Sequence, residues 1–301
     1  MSKERIAFIK VSAAMIIVGS AVVSGKLLVE SMPVFLAAEM RFFISTLIFL
    51  PLLIWKEGIP VFSFRLVRIL FLLSLAGVFL YNIFLLYGLK WTTASEAGII
   101  SSILPAFIAV LGYIILKEKL SRIKIIAVFL SIGGILCLQL TDSQANQEFQ
   151  LLQILGNVLI VCSVIAEAIF IIIGKYASSK VSPLAISTSV SFFGTILFFP
   201  PAIYQTMTSG YQFHSTTDLA LVGYSAIIVT VAAFLLMYQG ASVLPAYQTG
   251  ILTSMVPLST ITLASFILEE SLKFHHFVGL LCVCSSIILA SRVEKTEART
   301  S

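Results

Sequence analysis

The sequence carries little charge for its length. Asp, Glu, Lys and Arg make up 11% of its 301 residues, whereas a soluble domain carries about 25%. Hydrophobic residues make up 59%, and the mean hydropathy is +1.06. One core cannot bury this much apolar surface, so we expect an integral membrane protein surrounded by lipid.

Cysteines are few, and several catalytic motifs are missing. The sequence has no His-Glu-x-x-His, no Gly-x-Ser-x-Gly and no phosphate-binding P-loop. The four cysteines lie within apolar runs and lack the spacing of zinc ligands, so we interpret them as packing residues. We therefore predict no enzymatic activity, no cofactor and no metal site. The net charge of +5 does not indicate a nucleic-acid partner, because Lys and Arg stand between the apolar runs, as juxtamembrane residues do.

Ten segments are apolar and long enough to form transmembrane helices, which need about 20 residues each. The loops between them leave no room for a soluble domain. We therefore predict an all-α integral membrane protein. Segments 1 to 10 are residues 6–28, 34–54, 67–88, 93–116, 123–140, 151–174, 183–203, 217–239, 246–268 and 274–291.

An internal repeat divides the chain into two halves. Residues 88–120 and 240–272 align without a gap and are identical at eleven of 33 positions. Gly, Ser, Pro and Glu match in one register, which composition bias does not produce. We predict two repeats of five helices, residues 1–140 and 151–291, followed by a short cytoplasmic tail at 292–301.

Lysine and arginine are distributed unequally between the two sides of the predicted membrane. Fifteen lie at the termini and after segments 2, 4, 6 and 8, three lie on the opposite side, and Arg41 lies within segment 2. This predicts cytoplasmic N- and C-termini. Because five is an odd number, the second repeat enters from the opposite side. Such inverted repeats can exchange between inward-open and outward-open states, with a binding site at their interface.

Segments 4 and 9 contain a small residue at every fourth position, followed by a proline. Gly98 and Gly250 are the central small residues, and Pro105 and Pro257 follow them. Small residues allow another helix to approach closely in lipid, and proline permits a kink. Two interpretations remain open: a hinge beside a transport path, or tight packing with a static bend.

Five charged residues are predicted at similar depth near the outer side of the membrane: Lys26, Glu30, Glu39, Arg41 and Glu96. A charge within a transmembrane helix costs about 2.5–3.5 kcal/mol on insertion scales, so each needs a reason. We interpret the five as an outer charged cluster. It forms an outer gate or a site for a substrate carboxylate, or else it is a structural network at the membrane interface.

Glu167 is predicted nearer the inner end of segment 6, eight residues before Lys175. A carboxyl group there could couple transport to protons. The alternatives are pairing with a neighbouring helix or reaching the cytoplasmic face. The pair His275–His276, at the start of segment 10, is interpreted as loop residues.

Several of these motifs resemble the EamA-type family of the drug/metabolite transporter superfamily. The resemblance rests on residues 39–43 before an apolar run ending at Pro51, on residues 94–105 and on residues 117–120, and both halves match. It implies ten helices in two inverted repeats around a cavity lined mainly by segments 1–4 and 6–9. It also implies export of small metabolites, often amino acids, whereas other members carry nucleobases, sugars or nucleotide sugars.

Uncharged polar residues on these cavity segments are further substrate-path candidates. Helix-to-helix hydrogen bonding is an equally good explanation for each of them. They are Tyr81, Asn82, Ser101, Ser102, Tyr238, Gln239, Tyr247, Gln248 and Ser254.

Taken with the resemblance, the sequence predicts a secondary carrier in the plasma membrane. We expect it to export amino acids or related compounds by alternating access, with protons as a candidate coupling ion. A carrier of nucleotide, nucleobase or sugar derivatives and a non-carrier channel are the alternatives. A nucleotide-sugar exchanger would need several cations to meet phosphates, and only Lys26 and Arg41 are candidates. The expected partners are a small-molecule substrate and the lipid bilayer, and the oligomeric state is left open.

Overall fold

A computed structural model places most of the described chain in helices. It describes residues 3–58, 62–101, 103–116, 126, 147–178, 180–211, 216–241, 243–244, 252, 255–271, 274, 276–278, 280–281 and 285, and these contain no β-strand. The helices are α1 (Lys3–Ser31), α2 (Val34–Glu57), α3 (Phe64–Ser74), α4 (Tyr81–Trp91), α5 (Ala94–Ser101), α6 (Leu104–Leu116), α7 (Gln147–Ser178), α8 (Pro183–Ser209), α9 (Thr216–Tyr224), α10 (Ala233–Ala241) and α11 (Met255–Ile267). Two π-helical segments, π1 (Leu75–Leu80) and π2 (Ser225–Ala232), join α3 to α4 and α9 to α10.

Within these ranges, six helices are long and apolar enough to cross a membrane. They are Lys3–Ser31, Val34–Glu57, Phe64–Trp91, Leu151–Gly174, Pro183–Ser209 and Thr216–Met237. These helices coincide with predicted segments 1, 2, 3, 6, 7 and 8, as expected for an integral membrane protein. Segment 5 except residue 126, the first part of segment 9 except residue 252, most of segment 10 and the tail at 292–301 lie outside the described residues.

Predicted segment 4 is interrupted rather than continuous. α5 ends at Ser101 and α6 begins at Leu104, directly before Pro105. Proline has no N–H to continue the hydrogen-bond ladder of a helix. The backbone tightens here instead, because the N–H of Ile103 bonds to Ile100 O at 3.1 Å. The proline of the repeat motif therefore coincides with a break in the helix.

The two π-helical segments lie at equivalent positions of the two halves. π1 begins at residue 75 and π2 at residue 225, an offset of 150 (225 − 75). The same offset relates Pro51 of α2 to Pro201 of α8. A side chain accompanies each wide turn: Asn82 Nδ2 donates to Val78 O at 2.7 Å, and the Thr230 hydroxyl donates to Ser225 O at 2.9 Å.

Helices from the two halves pack in matching pairs. α2 packs along α8, and the rings of Phe42 and Phe198 stack with their centroids 5.8 Å apart. α4 packs against α7, and α10 packs against α1. A glycine makes each of the last two contacts close, because a Cβ at Gly88 would clash with α7 and one at Gly240 would clash with α1.

α1, α5 and α11 meet at a second close contact. A Cβ at Gly98 would lie 2.6 Å from Thr260 Cγ2, so the backbone of α5 at Gly98 packs directly against the side chain of Thr260 in α11. The hydroxyl of Thr260 donates to Gly19 O at 3.0 Å. The structure thus places Gly98 in tight packing, while a hinge motion stays a prediction. Pro257 lies buried within α11.

Candidate functional site

Two groups of polar side chains in the described part of the helical bundle contain most of the candidate charged residues. The first, which we call the charged centre, consists of Arg41, Tyr81, Glu167 and Thr230. Arg41 Nε donates to Thr230 Oγ1 at 2.8 Å. Arg41 lies close enough to Tyr81 to interact electrostatically, and Tyr81 does the same with Glu167. Helices α2, α4 and α7 and the segment π2 therefore bring one cation, one phenol and one carboxyl group together.

The π-helical segments position two members of the charged centre. Tyr81 is the first residue after π1, and Thr230 lies within π2. The Thr230 hydroxyl donates its single hydrogen to Ser225 O, so its oxygen accepts the hydrogen bond from Arg41 Nε. π-helical turns of this kind occur frequently at functional sites.

Arg41 and Glu167 retain hydrogen-bonding capacity. Among the described residues, none hydrogen-bonds to the terminal nitrogens of Arg41 or to the carboxyl group of Glu167, and both side chains are half-buried. A guanidinium presents a planar fork that matches a carboxylate with two parallel hydrogen bonds. The charged centre can therefore hold a carboxylate at Arg41 and a cation at Glu167.

The second group, which we call the polar cap, lies where α4 ends and α5 begins. Its members are Lys26, Thr92, Glu96, Gln153, Asn157, Glu270 and His276. Each contributes a contact to the ends of α4 or α5, and together they come from both halves of the chain.

Glu96 is the most deeply buried acid of the polar cap, with 2% of its surface exposed. Its Oε2 accepts from the Thr92 hydroxyl at 2.8 Å and from Asn157 Nδ2 at 2.9 Å, and its Oε1 accepts from Gln153 Nε2 at 2.7 Å. His276 Nε2 lies 3.9 Å from Oε1. These donors replace the water that a buried carboxylate loses.

Lys26 hydrogen-bonds to backbone carbonyls at the end of α4. Its ammonium donates to Leu89 O at 2.6 Å and to Thr92 O at 3.1 Å, and it lies 3.6 Å from the carboxylate of Glu30. The last carbonyls of a helix lack intrahelical donors and carry partial negative charge. Lys26 therefore stabilises the C-terminus of α4.

Glu270 binds the start of α5 from the other half of the chain. Its Oε1 accepts the N–H of Ala94 at 2.8 Å, and its Oε2 accepts the N–H of Ser95 at 2.9 Å. The chain turns back after α11 because Glu269 adopts a left-handed φ of 54° and the Glu270 N–H bonds to Ala264 O at 3.3 Å. In the sequence repeat, Glu270 is the counterpart of Glu118.

The residues predicted as one outer charged cluster occupy three different environments. Lys26 and Glu96 belong to the polar cap, and Glu30 borders it through Lys26. Arg41 belongs instead to the charged centre, together with Glu167, which the sequence had placed near the inner end. Glu39 is 8% exposed, and its Oε2 has no hydrogen-bond partner among the described residues.

The uncharged candidates are divided as well. Asn82 is buried and its amide binds Val78 O, the backbone of its own helix. Gln239 accepts from Lys10 Nζ at 2.8 Å on an exposed part of the bundle. Several candidates, or their side chains, lie outside the described part of the chain. They are Ser102, Tyr238, Tyr247, Gln248 and Ser254, together with the hinge candidates Pro105 and Gly250.

Sequence reasoning missed most partners in the polar cap. The interpretation of His276 as a loop residue is wrong, because it lies in a helical stretch, is 7% exposed and approaches Glu96. Gln153 and Asn157 are four residues apart on one face of α7, a spacing that could have signalled a shared partner. Glu270 had a signal too, since the repeat matches it to Glu118.

Several helices long and apolar enough to cross a membrane define an integral membrane protein. Comparison with known proteins identifies the family. The model of the EamA-like transporter family matches residues 5–140 and 154–292. The chain therefore belongs to the EamA-like transporter family.

Individual relatives agree with this membership. The "Uncharacterized transporter YetK" of Bacillus subtilis (strain 168) is 39% identical over 290 residues, covering 96% of this chain and 88% of its own. An "Uncharacterized transporter" of Archaeoglobus fulgidus is 26% identical over 252 residues, covering 83% and 85%. A solved crystal structure of a protein 12% identical in sequence aligns over 96% of this chain and 98% of its own with a TM-score of 0.67, which shows a shared fold.

Family membership confirms the resemblance that the sequence motifs indicated. It defines the chain as a multi-pass membrane protein and points to transport of a small molecule rather than to enzymatic activity.

Proposed function

We propose that the protein is a secondary carrier that exports amino acids or related zwitterionic metabolites. The charged centre carries this proposal, because Arg41 and Glu167 offer opposite charges and both interact with Tyr81. An amino acid has one carboxylate and one ammonium group a few ångströms apart. Arg41 would bind the carboxylate and Glu167 the ammonium, and Tyr81 is within electrostatic range of both.

The environment of Lys26 favours this substrate class over nucleotide sugars. Phosphate groups need several cations, and Lys26 and Arg41 were the two candidates. Lys26 is already engaged by two backbone carbonyls and by Glu30. One guanidinium remains for the substrate, which suits a single carboxylate.

Alternating access between two inverted repeats, residues 1–140 and 151–291, is the mechanism we propose. The equivalent placement of π1 and π2 and the matching helix pairs support it. In this arrangement both termini face the cytoplasm, the membrane is the plasma membrane, and the break before Pro105 allows α5 to move relative to α6.

Proton exchange would drive export against a gradient, since the sequence has no ATP-binding motif. One carboxyl group at Glu167 cannot hold a proton and a substrate ammonium together. A proton entering from outside would therefore displace the substrate, which couples the two fluxes. We expect a protonophore that collapses the pH gradient to abolish accumulation of the substrate outside cells; accumulation that survives this treatment would exclude proton coupling.

Export from intact cells tests the proposed function. Cells producing the wild type, Arg41→Gln or Glu167→Gln at equal levels would be compared by mass spectrometry of extracellular amino acids. We expect both variants to lose about tenfold or more of the export, because a hydrogen bond to a charged group contributes about 1.5–3 kcal/mol. Arg65→Gln is the matched control, since Arg65 is exposed in α3. Wild-type export by both variants would overturn the proposal.

Analogues with one charge test the zwitterion itself. Purified protein in proteoliposomes would exchange the exported amino acid in the presence of its decarboxylated amine or its deaminated acid. We expect the amino acid to compete and the two single-charge analogues to compete at least tenfold less well. Equal competition by either analogue would show that only one of the two charges is recognised.

A further inference from the structure

Two carboxylates of the polar cap cross between the halves of the chain in opposite directions. Glu270 follows α11 in the second half and binds the backbone of α5 in the first half. Glu96 belongs to α5 and binds Gln153 and Asn157 of α7, in the second half. The first turn of α5 is therefore held to the second half from both sides.

The Glu270 contact is strong but depends on a short distance. The first N–H groups of a helix have no intrahelical acceptor and carry partial positive charge. A carboxylate that receives two such groups at 2.8 and 2.9 Å makes charge-assisted hydrogen bonds. A displacement of α5 from the end of α11 by a few ångströms removes both bonds together, so the contact has two distinct states, made and broken.

α5 does not need Glu270 in order to remain a helix. The hydroxyl oxygen of Thr93 accepts the N–H of Glu96 at 3.1 Å, which is a local N-terminal cap. The contact with Glu270 is an additional, long-range one, 176 residues along the chain from Ala94. α5 is also separated from α6 by the break before Pro105. These features allow α5 to separate from Glu270 as an intact helix.

We propose that Glu270 is a latch that closes the α4–α5 end of the transport path. The path opens at this end when the carboxylate leaves the N–H groups of Ala94 and Ser95, and it is closed when the contact forms. This inference rests on the alternating-access part of the proposed function and not on the identity of the substrate.

Chemical labelling of residue 95 tests the latch. Ser95 is fully buried and its hydroxyl has no hydrogen-bond partner among the described residues, so cysteine can replace it with little disturbance. Ser95→Cys would be introduced into a protein whose four native cysteines are changed to serine, and reconstituted in nanodiscs. The measurement is the rate of reaction with a membrane-impermeant maleimide.

We expect Glu270→Gln to raise the labelling rate at least tenfold, because an amide places an N–H group against one of the two backbone donors. Glu269→Gln is the matched control, since the neighbouring Glu269 is exposed, and it should label at the wild-type rate. Equal labelling of all three proteins would overturn the latch. If the export assay fails while Glu270→Gln still labels faster, the latch stands and the substrate assignment falls.

A second cysteine at a buried position detects unfolding of the variants. Ser163→Cys, at a fully buried position of α7, should stay unlabelled in every variant. If the cysteine at position 163 reacts in the Glu270→Gln variant, that variant is unfolded. The labelling rate at residue 95 is then compared between Glu270→Asp and the wild type. The shorter carboxylate keeps the charge but reaches α5 less well, so faster labelling at residue 95 supports the latch and wild-type labelling overturns it.

Discussion

At the residue scale, two buried carboxyl groups differ in how many hydrogen bonds they accept. Glu96 receives hydrogen bonds from three side chains and lies near His276. Glu39 is almost as deeply buried, but its Oε2 receives none from the described residues. The same residue type therefore contributes differently to stability at the two positions.

Neutral replacements at these two positions should separate their roles. We expect Glu96→Gln to destabilise the protein by about 1–3 kcal/mol, because the new amide group opposes the donors of Gln153 and Asn157. Glu39→Gln should cause little or no loss, since no hydrogen bond to a described residue is removed. Thermal unfolding of the purified variants in detergent measures both, and equal shifts of the two midpoints would contradict this account.

Close helix contact is the main feature at the element scale. α5 meets α11 where Gly98 faces the methyl group of Thr260, and α1 joins them through the Thr260 hydroxyl. In lipid, such contacts stabilise helix pairs through packing and hydrogen bonds rather than through the exclusion of water. A single methyl group added at this point has no space.

Gly98→Ala should therefore destabilise the protein by about 1–3 kcal/mol, the usual cost of overpacking. Thr260→Ser should rescue part of this loss, because serine removes Cγ2 and keeps the hydroxyl that binds Gly19 O, whereas the Cβ at 2.8 Å remains. Thermal unfolding of the single and double variants gives the comparison. A double variant as unstable as Gly98→Ala alone would show that the clash lies elsewhere.

The turn after α11 offers a second element-scale prediction. Glu269 has a φ of 54°, a left-handed conformation that costs an L-residue about 1–2 kcal/mol. Glu269→Gly should raise stability by about 0.5–1 kcal/mol, after the greater chain entropy of glycine is subtracted. Ser271→Gly is the control, since its φ is not positive, and it should not stabilise. Thermal unfolding of the two variants gives the comparison. Equal unfolding midpoints for Glu269→Gly and Ser271→Gly would show that the backbone at Glu269 is not strained.

At the scale of the whole molecule, several described features recur in both halves of the chain, whereas the charged residues differ between them. π1 and π2, and the glycine contacts of α4 with α7 and of α10 with α1, have counterparts in both halves. Arg41 and Glu167 do not, since Ser191 and Ile17 occupy the positions 150 residues away. A similar framework suits exchange between two conformations, and an unequal set of charges suits one substrate orientation.

Exchange kinetics distinguish such a carrier from a channel. Proteoliposomes preloaded with the exported amino acid should take up the labelled amino acid several-fold faster than empty ones, because a loaded carrier returns more readily than an empty one. Protein-free liposomes are the control. Uptake that is independent of preloading, together with a rise in membrane conductance, would identify a channel instead.

The sequence alone determined the membrane class, the family and most helix positions. Hydropathy and motif spacing are local properties, so the apolar runs at 6–28 and 151–174 were visible without knowledge of any contact. Pro105 likewise indicated a kink in segment 4, since a proline removes its hydrogen bond wherever the helix packs, but the sequence did not predict that α5 and α6 are separate helices. The repeat was visible because the residue types matched in register.

Only the tertiary structure decided which polar groups meet. Periodicity relates residues on one helix but gives neither its rotation against a neighbour nor its relative depth. Glu39 and Arg41 therefore looked like members of one cluster, although Arg41 donates to Thr230 while Glu39 Oε2 accepts from none of the described donors. The contact of Glu270 with α5 depends on a single left-handed residue and on the packing of α11, and no local pattern specifies either.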